Sequence, residues 1–207
     1  MPARFKVAPT KNNLLQLQQQ VRFLDKGYSL LERKRELLTR LVYERLANYR
    51  KLRKQSKALL KQAYHSLAIT HMRMGRAQFK QTTLGIQPAI ELQILPMSSL
   101  GVQYLSVSAK KRPFQPLGLF GTDASFDQTR QLMTELALVL VQLGEAETAL
   151  RRLLVEQRKT QKRVNALKYN VIPRYQDTIR YIESTLEEEE RTTLFQIQLL
   201  QNKQHQS

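Results

Sequence analysis

Apolar residues recur along two long stretches of this chain with alternating steps of three and four residues. The first stretch runs from Leu14 to Met74 and the second from Leu132 to Leu186, with occasional polar interruptions. A mean spacing of about 3.5 residues, on a helix of about 3.6 residues per turn, is typical of helices that pair along one seam in a left-handed supercoil. The pattern therefore predicts two long helices that pack against each other.

Helix-breaking residues are concentrated between these two stretches. Four of the seven prolines and four of the seven glycines fall within residues 83–127. Proline is absent from 10–87 and from 117–172, so each stretch is expected to be one continuous helix. A glycine inside a helix costs about 1 kcal/mol relative to alanine, which is too little to end a long helix. The glycines to which this argument applies are Gly27, Gly75 and Gly144.

The segment between the stretches has a different pattern. Apolar residues alternate with polar ones around residue 92, which is the period of a β-strand, and a second β-prone run follows a turn-rich interval. We predict a small β-hairpin at about 89–107, with strands at 89–95 and 101–107. Residues 110–121 are expected to form an irregular loop.

Together these elements predict an all-α fold. It is a long antiparallel two-helix left-handed coiled coil, with a short insert that contains the β-hairpin at the end distal to the termini. We expect Asp123 or Ser125 to cap the second helix, and Pro173, which removes a backbone hydrogen bond, to kink it. The predicted parts are an N-terminal tail at 1–11, a basic first helix at 12–82, the insert at 83–127, a second helix at 128–202 and a C-terminal tail at 203–207.

The charge of the chain is distributed unevenly. Its 207 residues include 34 Lys and Arg against 17 Asp and Glu, a formal net charge of +17. Residues 1–82 hold 19 of the basic residues and only 4 of the acidic ones, whereas residues 128–207 hold 12 and 10. The excess therefore belongs to the first predicted helix, and it favours an anionic partner such as nucleic acid, a lipid surface or an acidic protein.

The rest of the sequence gives little support to nucleic acid or a membrane as that partner. The basic clusters around 33–35 and 50–61 wrap several helix faces, and no zinc-finger, RRM or KH motif accompanies them. The longest apolar run, at 136–141, has six residues, against the roughly 20 that a bilayer span requires. The N-terminus lacks the apolar core of a secretory signal, which is compatible with a cytoplasmic location.

Residues that would indicate an enzyme are also lacking. The chain has no cysteine, which excludes thiol nucleophiles and thiolate metal sites, and it has neither a Walker A motif nor GxGxxG. His65 and His71 are six residues apart, so they do not share a helix face as i,i+4 metal ligands would. The carboxylates of 187–190 fan around a helix and do not converge on one atom. We therefore expect no catalytic residue, no metal and no cofactor.

On the residues alone, the chain is an extended α-helical connector, lever or scaffold. A two-stranded coil buries only its seam, so most of its surface meets water or other proteins. Two alternatives stay open at this point: a coiled-coil adaptor of another kind, and a basic rod that binds nucleic acid. Salt-dependent retention on duplex DNA is the observation that would favour the second alternative.

Both ends of the chain carry motifs that are more specific than a heptad. Near the start, Pro9-Thr10-Lys11 is followed by GYSLLERKREL at 27–37. Near the end, RVNALKYNVIP at 163–173 is followed by TIRYI and then by LEEEER. These motifs resemble those of the D subunit of V-type and A-type ATPases.

The resemblance implies that the chain is the central rotor shaft of a rotary V/A-type ATPase and is not itself catalytic. In that family the paired terminal helices enter a hexamer of catalytic and nucleotide-binding subunits. The shaft passes torque to a membrane ring that moves protons or sodium ions. The small F subunit of the stalk and a socket subunit above the ring are the other implied partners, and nucleic acid is not expected. The implied location is cytoplasmic, at the periphery of the membrane.

Basic residues of the helices are the expected contacts with the hexamer or with the rest of the rotor. The hypothesis is that ATP-bearing subunits provide the anionic surroundings that the basic helix favours. Glu32 and Lys168 stand where the family usually has Lys and Glu, which changes local ion pairs but not the fold. The candidate contacts are Lys11, Arg33, Lys34, Arg35, Arg50, Lys51, Arg53, Lys54, Arg163 and Arg174.

Overall fold

The computed structural model describes residues 4–114 and 122–204 and is dominated by helices. Its elements are α1 (Lys11–Met74), α2 (Arg76–Leu84), β1 (Ile90–Ser99), β2 (Val102–Lys111), α3 (Ala124–Ala166), a π-helical turn (Leu167–Val171) and α4 (Ile172–Gln204). The predicted all-α fold with a small β-hairpin insert is therefore confirmed. The chain divides into two compact units. The terminal unit comprises the described residues up to Leu37 and from Arg158 onward, and the middle unit is Leu38–Gln157.

The predicted seam is the buried face of the helices in both units. Its apolar positions from Leu14 to Met74 and from Leu132 to Leu186 are all buried or half-buried. In the middle unit, α1 and α3 pack in antiparallel order: Leu38, near the start of this part of α1, shares a core cluster with Leu153 of α3. The residues that alternate with the seam are mostly exposed, as the heptad argument requires.

A layer of buried hydroxyl groups interrupts the apolar seam of the middle unit. The hydroxyl oxygen of Thr129 lies 2.7 Å from that of Ser66 and 2.8 Å from that of Thr70. The Thr70 hydroxyl is also within 3.0 Å of the Ser66 carbonyl and 2.9 Å of the Ser125 carbonyl. All four residues are buried, so each polar group replaces its contacts with water by contacts within the layer.

The β-hairpin is longer and tighter than the sequence suggested. Its ten-residue strands pair antiparallel, from Ile90 opposite Lys111 to Ser99 opposite Val102. The turn consists only of Leu100 and Gly101, both with positive φ (52° and 77°), as two-residue hairpin turns of type I′ require. The interval that looked turn-rich was 96–101, but residues 96–99 belong to β1 and only Leu100 and Gly101 form the turn. Proline is tolerated within β1 because this strand has a partner on one side only and its outer edge needs no donor.

The hairpin lies against α3 rather than projecting from the helix ends. The carboxylate of Glu145 accepts a hydrogen bond from the backbone N–H of Val107 at 3.2 Å. Further along the same helix, Arg152 donates to the Gln103 carbonyl at 2.8 Å. These two side chains satisfy backbone groups on the outer edge of β2, where no third strand pairs. Near the turn, Val102 and Tyr104 are buried, and Val102 completes the cluster of Leu38 and Leu153.

In the terminal unit, α1 packs against the last part of α3 and α4, again in antiparallel order. Lys11 forms an ion pair with Glu190 at 2.8 Å, and the Gln18 amide donates to Glu183 at 3.2 Å. Ile182, the neighbour of Glu183 in the chain, is fully buried. The N-terminal tail lies on α4, where the Phe5 ring packs against the Tyr175 ring at a tilt of 54°, with centroids 4.7 Å apart.

The predicted first helix is divided at Gly75. Helix α1 ends at Met74, and α2 begins at Arg76. Gly75 has φ +75° and ψ 157°, a conformation that L-residues rarely adopt. The expectation that this glycine would not interrupt the helix is therefore wrong. Within a helix a glycine only lowers stability, but at this position its positive φ lets the chain leave the helix.

Asp123 caps the start of α3, which begins at Ala124, four residues before the predicted start. Its carboxylate accepts the Ser125 hydroxyl and an N–H from the first residue of the helix, and it faces Arg73 at 3.3 Å. The pKa of Asp123 is lowered, chiefly by the hydrogen bond from Ser125 and further by Arg73. Most of the loop predicted at 110–121 lies outside the described residues, except that β2 extends to Lys111.

A π-helical turn precedes Pro173, the residue expected to kink the second long helix. Within it the backbone N–H of Ile172 donates to the Leu167 carbonyl, five residues earlier instead of four. Proline has no N–H to donate, and its ring crowds the carbonyl four residues before it, so a wider turn at this point relieves both problems. The irregular part of the helix thus lies next to Pro173. The bend of the helix axis at this proline stays a prediction.

Candidate partner-binding surfaces

The candidate functional features of the described residues are exposed surfaces. Within 4–114 and 122–204, no group of three or more His, Asp or Glu side chains is arranged to hold a metal ion. None of the helices in these ranges has the length and apolar character needed to cross a bilayer. Two surfaces stand out by their chemistry: the C-terminal part of α4 and a basic stripe on α1.

The C-terminal part of α4, residues 191–202, is here named the tip. The ion pair of Lys11 with Glu190 marks the first residue of α1, so the tip continues past the start of its partner helix. Every residue of the tip is exposed, including Leu194 (63%), Phe195 (61%) and Leu200 (64%). Ile197 and Leu199 are exposed as well.

The apolar residues of the tip point to most sides of the helix rather than forming one stripe. At about 100° per residue, Leu194, Phe195, Ile197, Leu199 and Leu200 leave no wide polar face. A helix that is apolar all round is normally buried. Since no described residue covers the tip, a partner that surrounds it is the expected environment.

Sequence reasoning missed the tip as a surface. The seam was followed only as far as Leu186, and the apolar residues beyond it were not compared with the start of the first helix. The two predicted helices, 12–82 and 128–202, differ by only four residues in length, so their lengths did not reveal the overhang, which follows from the pairing of Lys11 with Glu190. An unmatched apolar helix end is a surface that a partner must complete.

The basic stripe on α1 is formed by Arg50, Arg53, Lys54 and Lys57, all exposed. Their spacing of i, i+3, i+4 and i+7 places them on one helix face. They line a groove of about 640 Å³ between α1 and α3, together with Ser56, Leu60, Leu140 and Leu143. Lys51, also predicted as a contact, is exposed but does not line this groove.

Several of the other predicted contacts are engaged within the terminal unit. Arg35 is half-buried, pairs with Glu32 and donates to the Gln161 amide oxygen at 3.2 Å. Arg174 lies over the Phe5 ring at 4.5 Å. Lys34 is half-buried, whereas Arg33 and Arg163 are exposed. The engaged side chains have structural roles here, and a contact with a partner stays a prediction for all of them.

The ion pair between Lys11 and Glu190 shifts both groups. The hydrogen bond and the opposite charge of Glu190 raise the pKa of Lys11, and the same two effects lower the pKa of Glu190. Both side chains are well exposed (75% and 61%), so water and salt screen the attraction. The pair orients the helix ends more than it stabilises them.

Comparison with known families decides which kind of helical protein this is. The family described as the D subunit of ATP synthase matches residues 13–202, almost the whole chain. The chain belongs to this ATP synthase D-subunit family. The match spans α1 to α4 and includes both the tip and the groove.

Individual members of the D-subunit family are similar over nearly their full length. The V-type ATP synthase D subunit of Thermotoga neapolitana is 33% identical over 198 residues, which cover 95% of this chain and 98% of that protein. The A-type ATP synthase D subunit of Methanosphaera stadtmanae is 33% identical over 198 residues, covering 94% and 92%. That of Pyrococcus horikoshii is 30% identical over 201 residues, covering 95% and 94%. The predicted family is thus confirmed.

Proposed function

We propose that this chain is the central rotor shaft of a rotary V/A-type ATPase. It transmits torque between ATP hydrolysis or synthesis in a catalytic hexamer and the movement of protons or sodium ions in a membrane ring. The observation that carries the proposal is membership of the D-subunit family over residues 13–202, since relatives named for both V-type and A-type ATP synthases match along the chain.

The helices have the mechanical character that a shaft needs. Helix α1 runs for 64 residues without a break, which is about 96 Å of helix. In each unit it is packed along a buried seam against an antiparallel partner, and a paired helix resists bending and twisting better than a single one. The chemistry of ATP and of ion movement belongs to other subunits, so the shaft itself needs no catalytic residue.

The tip is the part of the chain that we assign to the hexamer. Its exposed apolar residues on most sides of α4 suit a ring of subunits that surrounds a turning helix, because such a ring offers apolar contact in every orientation. The exposed Arg33 and Arg163 are further candidates for this contact. The small F subunit of the stalk and a socket subunit above the membrane ring complete the partners, in a cytoplasmic complex at the membrane periphery.

A cysteine placed on the tip tests whether the chain turns. The chain has no cysteine of its own, so Gln198→Cys gives this subunit a single thiol at a known position. The complex is purified from the host with this variant, labelled with a photoactivated cross-linker that a reductant cleaves, and illuminated. We expect a covalent link to a hexamer subunit, loss of ATP-driven ion transport, and recovery of transport after cleavage of the linker.

The matched control is the same labelled complex kept in the dark, which retains its transport. Full transport with the shaft linked to the hexamer would rule out rotation of this chain. Failure of the chain to co-purify with any ATPase hexamer would rule out the proposed assembly altogether.

A further inference from the structure

The middle of α1 carries an unusual concentration of unneutralised positive charge. From Arg45 to Lys61 there are seven basic residues and no acidic one. The nearest carboxylate on this helix, Glu44, pairs with Arg40 at 3.3 Å. Among the described residues, no ion pair neutralises the four cations that line the groove, Arg50, Arg53, Lys54 and Lys57.

Two carboxylates of α3 that follow Leu143 in the same unit are engaged elsewhere. Glu145 accepts the N–H of Val107 in β2, and Glu147 pairs with Arg151 one turn further along α3. The opposite wall of the groove is instead formed by Leu140 and Leu143. The groove is therefore cationic on its α1 side and apolar on its α3 side.

The floor of the groove exposes leucine side chains that this chain does not cover. Leu60 is 39% exposed and Leu140 is 46% exposed, although both lie beside the buried seam. A ligand that covers these leucines and also neutralises the row of like charges gains from both contacts. A ligand that does both must carry carboxylates and apolar groups on the same face.

We propose that this groove binds an acidic amphipathic helix of a protein partner. The carboxylates of that helix pair with the stripe of Arg50, Arg53, Lys54 and Lys57, and its apolar residues bury Leu60 and Leu140. The shape fits a helix because the valley between two packed helices accepts a third, with anchors spaced at i, i+3, i+4 and i+7. The arginines match carboxylates in two-pronged geometry.

A protein helix fits this groove better than nucleic acid does. Phosphates would pair with the stripe but would leave the two leucines in contact with water. Proteins that hold single strands stack bases on aromatic rings, and the described residues that line the groove include no aromatic side chain. The basic stripe is thus one side of a mixed, charged and apolar site.

The first test measures binding of the full-length chain to a defined probe. The probe is a synthetic helical peptide of about 21 residues, long enough for several helical turns, with one face of Leu flanked by Glu and the remainder Ala. A peptide of the same composition in scrambled order, and a short DNA duplex, serve as comparisons at physiological salt. We expect fluorescence anisotropy to show the amphipathic peptide binding at least about tenfold more tightly than the scrambled one.

Two charge reversals separate the groove from general basicity. Lys54→Glu changes a residue that lines the groove, and Lys51→Glu makes the same change in charge three residues away, outside it. We expect Lys54→Glu to weaken binding of the amphipathic peptide about tenfold and Lys51→Glu less than about twofold. Leu140→Gln, which leaves the charge unchanged, is expected to weaken it as well. Equal effects of the two reversals, or equal binding of the scrambled peptide or DNA, would overturn the proposal.

The second test asks what occupies the groove in the assembly. A photoreactive benzoylphenylalanine replaces Leu140 in the complex purified from the host, and the cross-linked peptide is sequenced. We expect a segment with Asp or Glu at helical spacing beside apolar residues, and loss of the cross-link when Lys54→Glu is added. A cross-link to nucleic acid, to another copy of this chain or to a segment without acidic residues, or no cross-link, would overturn the proposal.

This second test requires the rotary ATPase complex and therefore rests on the proposed function. The two failures are distinguishable. If the chain does not co-purify with an ATPase hexamer, the proposed function fails while the peptide measurements still judge the groove. If it co-purifies but Leu140 meets no acidic segment, the inference about the groove fails alone.

Discussion

The terminal unit and the middle unit are built on one heptad pattern, yet each buries its seam differently. In the middle unit the hairpin adds a layer, and Val102 closes over the contact of Leu38 with Leu153. In the terminal unit the only addition among the described residues is the tail, whose Phe5 packs on Tyr175. A seam between two helices buries one apolar stripe on each helix. Any further burial of apolar surface therefore depends on a third layer that packs against the two helices.

The comparison also shows where each unit is left open to partners. The middle unit presents a cationic groove beside exposed leucines, and the terminal unit ends in an apolar tip that carries a single charge, on Arg191. Surfaces of such different chemistry are suited to different partners. The buried seam holds the helices together, and the surfaces that the seam leaves exposed determine which partners the chain can bind.

Truncating the core of the middle unit is expected to have the largest effect. Leu153 is fully buried against α1 and the hairpin, so Leu153→Ala should lower the free energy of unfolding by about 2–5 kcal/mol. Hydrogen exchange should speed up in β2 and α3 more than in α4, because local units open separately when their own packing is weakened. Val155→Ala, at an exposed position of the same helix, should change little.

The corresponding truncation in the terminal unit tests whether the two units open separately. Ile182 is fully buried in the terminal unit, so Ile182→Ala should speed up exchange in α4 and leave β2 protected. If both variants loosened both units equally, the two units would be one cooperative structure and the contrast between them would be lost.

Breaking the hydroxyl layer is expected to lower the free energy of unfolding by less than the truncation of Leu153 does. Thr70→Val keeps the shape but removes a hydroxyl that contacts Ser66, Ser125 and Thr129 within 3.0 Å. Buried partners left without a hydrogen bond cost about 1–3 kcal/mol, which denaturant unfolding measures. The control is Thr192→Val, where an exposed hydroxyl bonds only to the Glu188 carbonyl of its own helix. Equal losses at the two sites would show that the layer adds nothing.

Much of the fold was predictable because the heptad pattern reports burial directly. The seam residues from Leu14 to Leu186 are buried or half-buried. The first strand was found by its alternation and the second by its β-prone composition. The boundaries were less predictable. The start of α3 depends on Asp123, which meets both Ser125 and Arg73, and a partner 50 residues away in the chain leaves no local signal.

The candidate surfaces were predictable only in part. The stripe from Arg50 to Lys54 was visible as charge, but its groove depends on Leu140, which only the packing of α3 brings to α1. Arg35 and Arg174 were predicted as contacts on charge alone, although Gln161 and Phe5 already engage them. The charge of a side chain is known from the sequence. Whether that side chain can contact a partner depends on its neighbours in the folded chain.

Replacing glycine by alanine is expected to have opposite effects on stability at two positions of this chain. Gly144 has ordinary helical surroundings with nothing within 4 Å of an added Cβ, so Gly144→Ala should stabilise α3 by about 1 kcal/mol. Gly75 has equal space but φ +75°, so Gly75→Ala should destabilise the chain by about 1 kcal/mol. Thermal unfolding measures both. Stabilisation by Gly75→Ala would mean that α1 and α2 prefer to be one helix, as the sequence first suggested.

The smallest effect is expected at the junction of α1 with the tip, where Lys11 pairs with Glu190. Because the folded pKa of Glu190 lies below its ordinary 4.5, the pair stabilises the fold above that pH and the contribution is lost as pH falls through the folded value. Because the folded pKa of Lys11 lies above 10.5, the contribution also disappears as pH rises through that higher value.

The pair should therefore help only between these limits, and Glu190→Gln measures it. Helix α1 has no acidic residue in its first turn, so Glu190 is also the carboxylate placed to favour that end of the helix dipole. We expect the variant to lower Tm slightly near neutral pH, by less at high salt, and not at all in acid well below the folded pKa of Glu190. Glu189→Gln removes a neighbouring carboxylate that pairs with no described residue, and it should leave Tm unchanged at every pH. An equal effect of the two variants would assign the change to net charge rather than to the pair.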